Sequence, residues 1–260
     1  TVLCVEDNPI NMQIVEHAVS TLRDVTFVPA ETGEEGIARA TERRPDVIVL
    51  DLNLPDMTGH EVHARLRADP RTRNIPVIAL TAAAMPQDVA TGLAKGFFSY
   101  LTKPMDFEVF LNTLKAAVAP DAKAAPATTT DQPDQDAGAP EIDRARLSTL
   151  RSLTPHDTFV RMVRDACAEI DRGTEHFGDA AAERELRVLV QDLHTLRGLC
   201  LNIGAPNLGG FAGRLEERAK AGDRPALEQA AADFRAAGAK TVANLSRYLE
   251  SLPPKAVSAA

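Results

Sequence analysis

The sequence predicts two folds in one chain: an α/β doubly wound, five-stranded parallel sheet over residues 1–119 and an all-α bundle over 141–252. Three observations carry this. In the first half, short β-branched runs alternate with helical patterns. Those runs are apolar at every position, as strands are when helices cover both faces of a parallel sheet. In the second half no strand pattern occurs, and apolar residues recur at every third and fourth position, the period of amphipathic helices.

The strands of the first half are expected at Val2–Val5, Val25–Val28, Val47–Leu50, Val77–Leu80 and Ser99–Leu101. Helices are expected between and after them, near 9–22, 33–43, 59–68, 87–95 and 106–118. Asp7-Asn8-Pro9 suits the start of the first helix, with a capping side chain and a proline in the first turn. Residues 120–140, "PDAKAAPATTTDQPDQDAGAP", hold four prolines, four aspartates and no large apolar residue. Such a stretch cannot bury a core, so it is a flexible linker. As a flexible chain its 21 residues span about 25 Å on average. Beyond it, helical patterns cover 142–152, 157–177, 186–203, 207–220 and 225–250, with breaks at Thr154-Pro155, Gly204-Ala205-Pro206 and Gly222-Asp223. Residues 253–260 are expected to be a disordered tail.

Charge and composition exclude several classes. The net charge of −8 is uneven: residues 1–119 carry −5, the linker −3, and 141–260 are neutral. No segment has the basic excess of a nucleic-acid binder, so no nucleic-acid partner is expected. No apolar run approaches the roughly 20 residues of a membrane span, so the chain itself is not expected to contact a membrane. Cys4, Cys167 and Cys200 form no metal-type or redox-type pair, which suits a reducing, cytoplasmic setting, and Cys4 and Cys200 read as core. The chain has no initial methionine, which predicts a piece of a longer protein, one whose parent a membrane could anchor.

Chemistry gathers at the strand ends of the first half. Glu6 and Asp7 follow the first strand, Asp51 the third, Thr81 the fourth, and Lys103-Pro104 the fifth. In a doubly wound sheet ligands bind beyond the carboxyl ends of the strands, so these groups should converge in one crevice. Three clustered carboxylates need a cation between them, and Mg²⁺ takes oxygen ligands while leaving room for a phosphoryl oxygen. A lysine and a threonine hydroxyl would bind the other phosphoryl oxygens. Glu6 and Asp7 are better placed to hold metal, which leaves Asp51 as the acceptor.

"VEDNP" at 5–9, "VLDLNLPDMTG" at 49–59, "ALTA" at 79–82 and "YLTKP" at 100–104 resemble the receiver domain of two-component response regulators. The resemblance covers 1–119 and implies a flavodoxin-like strand order of 2-1-3-4-5. It implies phosphorylation of Asp51, and Mg²⁺ held by Glu6, Asp7, Asp51 and the Asn53 main-chain carbonyl. It implies that Lys103 contacts the phosphoryl group ahead of a cis Pro104, and that Thr81 and Tyr100 form the switch pair. Asn53 and Ala83 fall where the family tunes phosphate lifetime. Core packing is an equally open reading for Tyr100.

In the second half, a helix through 186–203 puts Leu186, Leu189, Val190, Leu193, Leu196 and Cys200 on a core stripe. The opposite flank carries Arg187, Gln191, His194, Arg197 and Gly198, so His194 is expected to face solvent. A neutral imidazole there is a nucleophile near neutral pH. Arg197, one turn on, could stabilise a phosphohistidine, and Gly198 would keep the approach low. The other histidines (His17, His60, His63, His156 and His176) read as ordinary surface residues.

The run His194, Thr195, Leu196, Arg197, Gly198, with Gly204-Ala205, Leu208 and "RLEERAKAGD" at 214–223, resembles the histidine-containing phosphotransfer (HPt) domain, a four-helix bundle, over 141–252. The resemblance implies phosphorylation of His194 and a hydrogen bond from its ring to Glu216. Arg197 replaces the more usual lysine, and Leu199-Cys200 replaces a pair of small residues, so Leu199 is expected to crowd the docking surface. Together the two resemblances imply the carboxyl-terminal part of a hybrid sensor histidine kinase. They imply a phosphorelay from an upstream histidine kinase domain to Asp51, to His194, and on to or back from a downstream response regulator. A receiver–HPt contact within the chain is left open. Nothing resembles a kinase ATP site, so the chain is a phosphotransfer component and not a source of phosphoryl groups from ATP. A phosphorylation-dependent binding module and a free-standing relay adaptor stay open as alternatives.

Overall fold

The computed structural model describes residues 1–81, 95–119 and 140–253. The expected helix at 87–95 except Lys95, Ala83, the linker except Pro140, and the tail beyond Pro253 lie outside the described residues. The chain divides into two compact units, Thr1–Pro133 and Asp134–Ala260.

The first unit is built on five parallel strands, β1 (Val2–Val5), β2 (Phe27–Ala30), β3 (Val47–Asp51), β4 (Val77–Thr81) and β5 (Ser99–Thr102), in the order β2-β1-β3-β4-β5. Helices α1 (Pro9–Ser20), α2 (Gly33–Arg43), α3 (Gly59–Ala68) and α4 (Phe107–Ala117) flank them. Every residue of β1, β3 and β4 is buried, as strands covered on both faces must be. Leu3, Val5, Ile48, Leu50, Val77 and Ala79 share one core cluster with Val62 and Leu66 of α3. The α1 cap is as the sequence predicts: Asn8 Oδ1 accepts from the Ile10 and Asn11 amides, with Pro9 in the first turn.

β2 begins two residues later than expected. Its register is set by β1, with Val2 opposite Phe27 and Val5 opposite Ala30, and Asp24 takes a left-handed turn just before it (φ 58°). β2 is an edge strand, where Pro29 costs no ladder hydrogen bond on its outer side. His63 is also not a surface residue. It is buried and stacked on Phe97, centroids 3.8 Å apart, and Phe97 in turn touches the Tyr100 ring at 5.0 Å. Burial first, then the neighbouring Arg67 charge, push the His63 ring down to about 4.

The second unit is helical: α5 (Arg144–Leu153), α6 (His156–Glu175), α7 (Phe177–Glu183), α8 (Leu186–Asn202), α9 (Pro206–Lys220) and α10 (Arg224–Glu250). The four long helices close a ring, α6 on α8, α8 on α9, α9 on α10, and α10 back on α6. Their core holds Phe159, Leu193, Leu215 and Phe234, all buried. The short α7 was not legible in the sequence, because two buried residues, Phe177 and Ala181, are too few to show a period. All three cysteines are buried and unbridged. No helix among the described residues is long and apolar enough to cross a membrane.

Candidate functional site

β1 and β3 lie side by side in the sheet, so residues leaving their carboxyl ends meet. Glu6, Asp7 and Asp51 each present a carboxylate oxygen, all within 4.8 Å of one another. Glu6 and Asp51 are buried, while Asp7 is partly exposed. Lys103, brought in from beyond β5, stands between the two buried carboxylates. Its Nζ donates to Asp51 Oδ2 at 2.6 Å and to Glu6 Oε2 at 2.7 Å. The peptide bond that follows it, to Pro104, is cis. The other Glu6 oxygen, Oε1, accepts from Asn11 Nδ2 at 2.9 Å. The Asn53 amide donates to Asp51 Oδ1 at 3.0 Å, which brings the Asn53 backbone to the site.

Burial raises the Glu6 carboxyl above its usual range, against the pull of Lys103. Burial opposes the charged form of Lys103 too, but Asp51 and Glu6 outweigh it and hold the ammonium charged. The group is a tight pocket of negative charge with one buried cation. Three carboxylates suit a hard, oxygen-seeking ion such as Mg²⁺ in their donor chemistry.

The backbone behind Asp51 has no spare room. A Cβ at Gly59 would sit 2.5 Å from the Asp51 carbonyl oxygen, so only glycine lets α3 start that close. Thr81 ends β4 and is buried, and its carbonyl accepts from the Lys103 amide at 2.7 Å. Tyr100 is buried beside Phe97 in the same core cluster as the sheet.

Replacing Lys103 with methionine leaves two buried carboxylates facing each other. The receiver half is expected to lose about 3–5 kcal/mol at pH 7, the cost of breaking a buried ion pair from one side. Urea unfolding of the full chain in a metal chelator measures this. A loss below about 1 kcal/mol would show that water or rearrangement already relieves the pair.

The second unit holds its own cluster. His194 lies on α8 and Glu216 on α9, with Nδ1 of the ring 3.1 Å from Glu216 Oε1. His194 is only 9% exposed, which corrects the expectation of a solvent-facing ring. Around His194 the flank read as polar is covered by α9, whose packing the residue period of α8 alone does not reveal, while Arg187 at its start stays exposed. Arg197 Nη1 stands 3.6 Å from Glu216 Oε2, and Lys220 Nζ 2.8 Å from Glu216 Oε1. Gly198 is buried within α8. Leu199 is fully buried in the bundle core, so it does not crowd a docking surface. It lies one turn beyond the buried Leu196, on the inward side of the helix.

Sequence reasoning missed two contacts, Asn11 on Glu6 and Lys220 on Glu216. Lys220 had a local signal, since it follows Glu216 by four residues on one helix face. Burial alone would raise the Glu216 carboxyl, but the His194 hydrogen bond and charge, with Lys220, hold it down at about 2. A carboxyl held below its ordinary value of 4.5 stabilises the fold above that pH and loses the contribution as pH falls toward 2. The stability advantage of the native chain over Glu216→Gln is therefore expected to be full at pH 6 and to shrink between about pH 4.5 and 2. Thermal unfolding across that range checks it, and a pH-independent gap would refute it.

Comparison with known proteins agrees with both units. Residues 2–115 match the response regulator receiver domain, and residues 157–252 match the Hpt domain. The chain is 36% identical over 116 residues to the polar-differentiation response regulator DivK of Brucella anthropi, covering 45% of this chain and 94% of that protein. The DivK of Brucella ovis is 35% identical over the same shares. Among solved structures, the chemotaxis response regulator CheY4 of Vibrio cholerae is 33% identical, over 45% of this chain and 96% of that one, with a TM-score of 0.42. The receiver domain of the Pseudomonas aeruginosa PAO1 sensor histidine kinase PA1611, solved with a magnesium ion in its active site cleft, is 31% identical, over 45% and 95%, with a TM-score of 0.42. With a receiver domain whose carboxylates converge at the carboxyl ends of β1 and β3, followed in sequence by an Hpt domain, the chain belongs to the response regulator receiver family and works in phosphorelay signalling.

Proposed function

We propose that Asp51 accepts a phosphoryl group and that His194 carries one to or from a partner response regulator. The observation that supports this best is Lys103 Nζ at 2.6 Å from Asp51, beside the carboxylates of Glu6 and Asp7. In the first step a carboxylate oxygen of Asp51 attacks the phosphorus of a phosphohistidine on an upstream histidine kinase domain. The P–N bond breaks, and its electron pair stays on the imidazole nitrogen. In the relay step Nε2 of a histidine attacks the phosphorus of a phosphoaspartate, the P–O bond breaks, and the carboxylate leaves with the pair.

The residues divide this work. Lys103 holds a phosphoryl oxygen, and the Thr81 hydroxyl holds another, with Tyr100 as its partner in the switch. Glu6, Asp7, Asp51 and the Asn53 main-chain carbonyl would hold Mg²⁺, which when bound supplies positive charge against the phosphoryl oxygens. In the second unit, a Glu216 carboxylate on Nδ1 keeps the proton there and the lone pair on Nε2. Arg197 places positive charge beside the phosphohistidine, and Gly198 keeps the approach low. On this reading 1–119 form the receiver, 120–140 the linker and 141–252 the HPt bundle, in the cytoplasmic part of a hybrid sensor histidine kinase. Following label from a small phosphodonor through the native chain, Asp51→Asn and His194→Gln tests the assignment.

A further inference from the structure

Gly213 stands in the middle of α9, one turn before Glu216. Glycine is a poor helix residue compared with alanine, so its presence in the interior asks for a reason. A Cβ built there would lie 3.1 Å from Arg197 Nε, 3.2 Å from its Cζ and 3.3 Å from its Cδ. The guanidinium and its last methylene therefore rest against the bare backbone of α9.

The contacts across α8 and α9 share one antiparallel register. His194 meets Glu216, Arg197 meets Gly213, and Leu201 meets Gly209. The two turns that matter are thus face to face, with histidine and arginine on one helix and carboxylate and glycine on the other. From its berth Arg197 Nη1 stands 3.6 Å from Glu216 Oε2. That oxygen is buried and has no hydrogen-bond partner among the described residues. His194 and Lys220 both go to the other oxygen, Oε1. Arg197 is therefore a cation on the Oε2 side of Glu216, and it reaches that place across the bare backbone of Gly213.

We propose that Gly213 is a positioning residue for the phosphotransfer step: it opens a slot that fits the planar guanidinium of Arg197 beside Glu216 and His194. A side chain at 213 would press on the guanidinium and shift it from that place by at least a few tenths of an ångström. The slot also accounts for an arginine at 197. A lysine is slimmer and ends in a compact ammonium, so it would not need the bare backbone. The proposal rests on His194 as the phosphoacceptor. The competing explanation is that Gly213 only lets the helices approach, as Gly209 does, where a Cβ would sit 2.9 Å from Leu201 Cδ2.

The test uses the full chain carrying Asp51→Asn, so that only His194 takes label. The donor is a separate receiver domain preloaded with labelled acetyl phosphate. Gly213→Ala is expected to slow labelling of His194 about five-fold, the worth of a partly exposed charge contact. Its melting temperature should hold or rise by a few degrees, because alanine favours the helix. In an Arg197→Lys background, Gly213→Ala should change the rate by less than about two-fold, since no guanidinium remains to displace. Labelling at the native rate in Gly213→Ala would overturn the proposal. So would an equal slowing in both backgrounds, or a fall in melting temperature, each of which means that the helices were pushed apart. If His194→Gln takes label like the native chain, the phosphoacceptor assignment itself fails, a result separate from any outcome at Gly213.

Discussion

Asp51→Asn is expected to abolish labelling of the chain by acetyl phosphate, a loss of at least about 100-fold. Asparagine has almost the same shape, so the fold should survive. The amide is no nucleophile, however, and cannot form an acyl phosphate. Its oxygen can still accept from the Asn53 amide, as Asp51 Oδ1 does now. What is lost is one of two charges that face Lys103 in a buried setting. The variant should therefore remain folded by circular dichroism while taking no label. Labelling at the native rate would remove Asp51 from the acceptor role and with it the receiver half of the relay.

His194→Gln is expected to separate the two halves. The receiver of this variant should label on Asp51 as in the native chain, because the substitution lies in the other unit. Transfer to a downstream response regulator should fall by at least about 100-fold, since glutamine offers no imidazole nitrogen to carry the phosphoryl group. Glutamine can still donate to Glu216 Oε1, the oxygen 3.1 Å from His194 Nδ1, so the carboxylate keeps a partner and the bundle should stay folded. Unreduced onward transfer would mean that the chain hands on its phosphoryl group directly from Asp51.

Local pattern carried far in this chain. The apolar runs of β1, β3 and β4 announced buried parallel strands, and the structure buries every residue of them. The residues just past those strands announced a convergence, because parallel strands all end on one side. Glu6, Asp7 and Asp51 meet as that logic requires. Asn8 and Pro9 marked a helix start that needs only neighbouring residues to form. His194 and Arg197 were legible as one helix face, three residues apart.

The resemblance pointed to Glu216 beside His194, as found, but the atom-level pairing between distant parts of the chain was not legible. Lys103 bonds to Glu6 across 97 residues and to Asp51 across 52. Which of their oxygens it takes depends on how the end of β5 settles beside β4, which in turn pairs with β3. His63 had the look of a surface histidine on a helix, and became core because Phe97 arrives from the turn before β5 to stack on it. Leu199 and His194 show the same limit on α8. A single helix has one obvious apolar stripe, but in a closed four-helix ring its neighbours cover more than that stripe. Sequence by itself determined the elements, their order and the chemical groups at their ends, all matters of local period and turn chemistry. Tertiary structure decided which atoms of those groups pair, that His63 and His194 are buried, and that Arg197 lies on Gly213, because side-chain pairing follows the packing of whole elements.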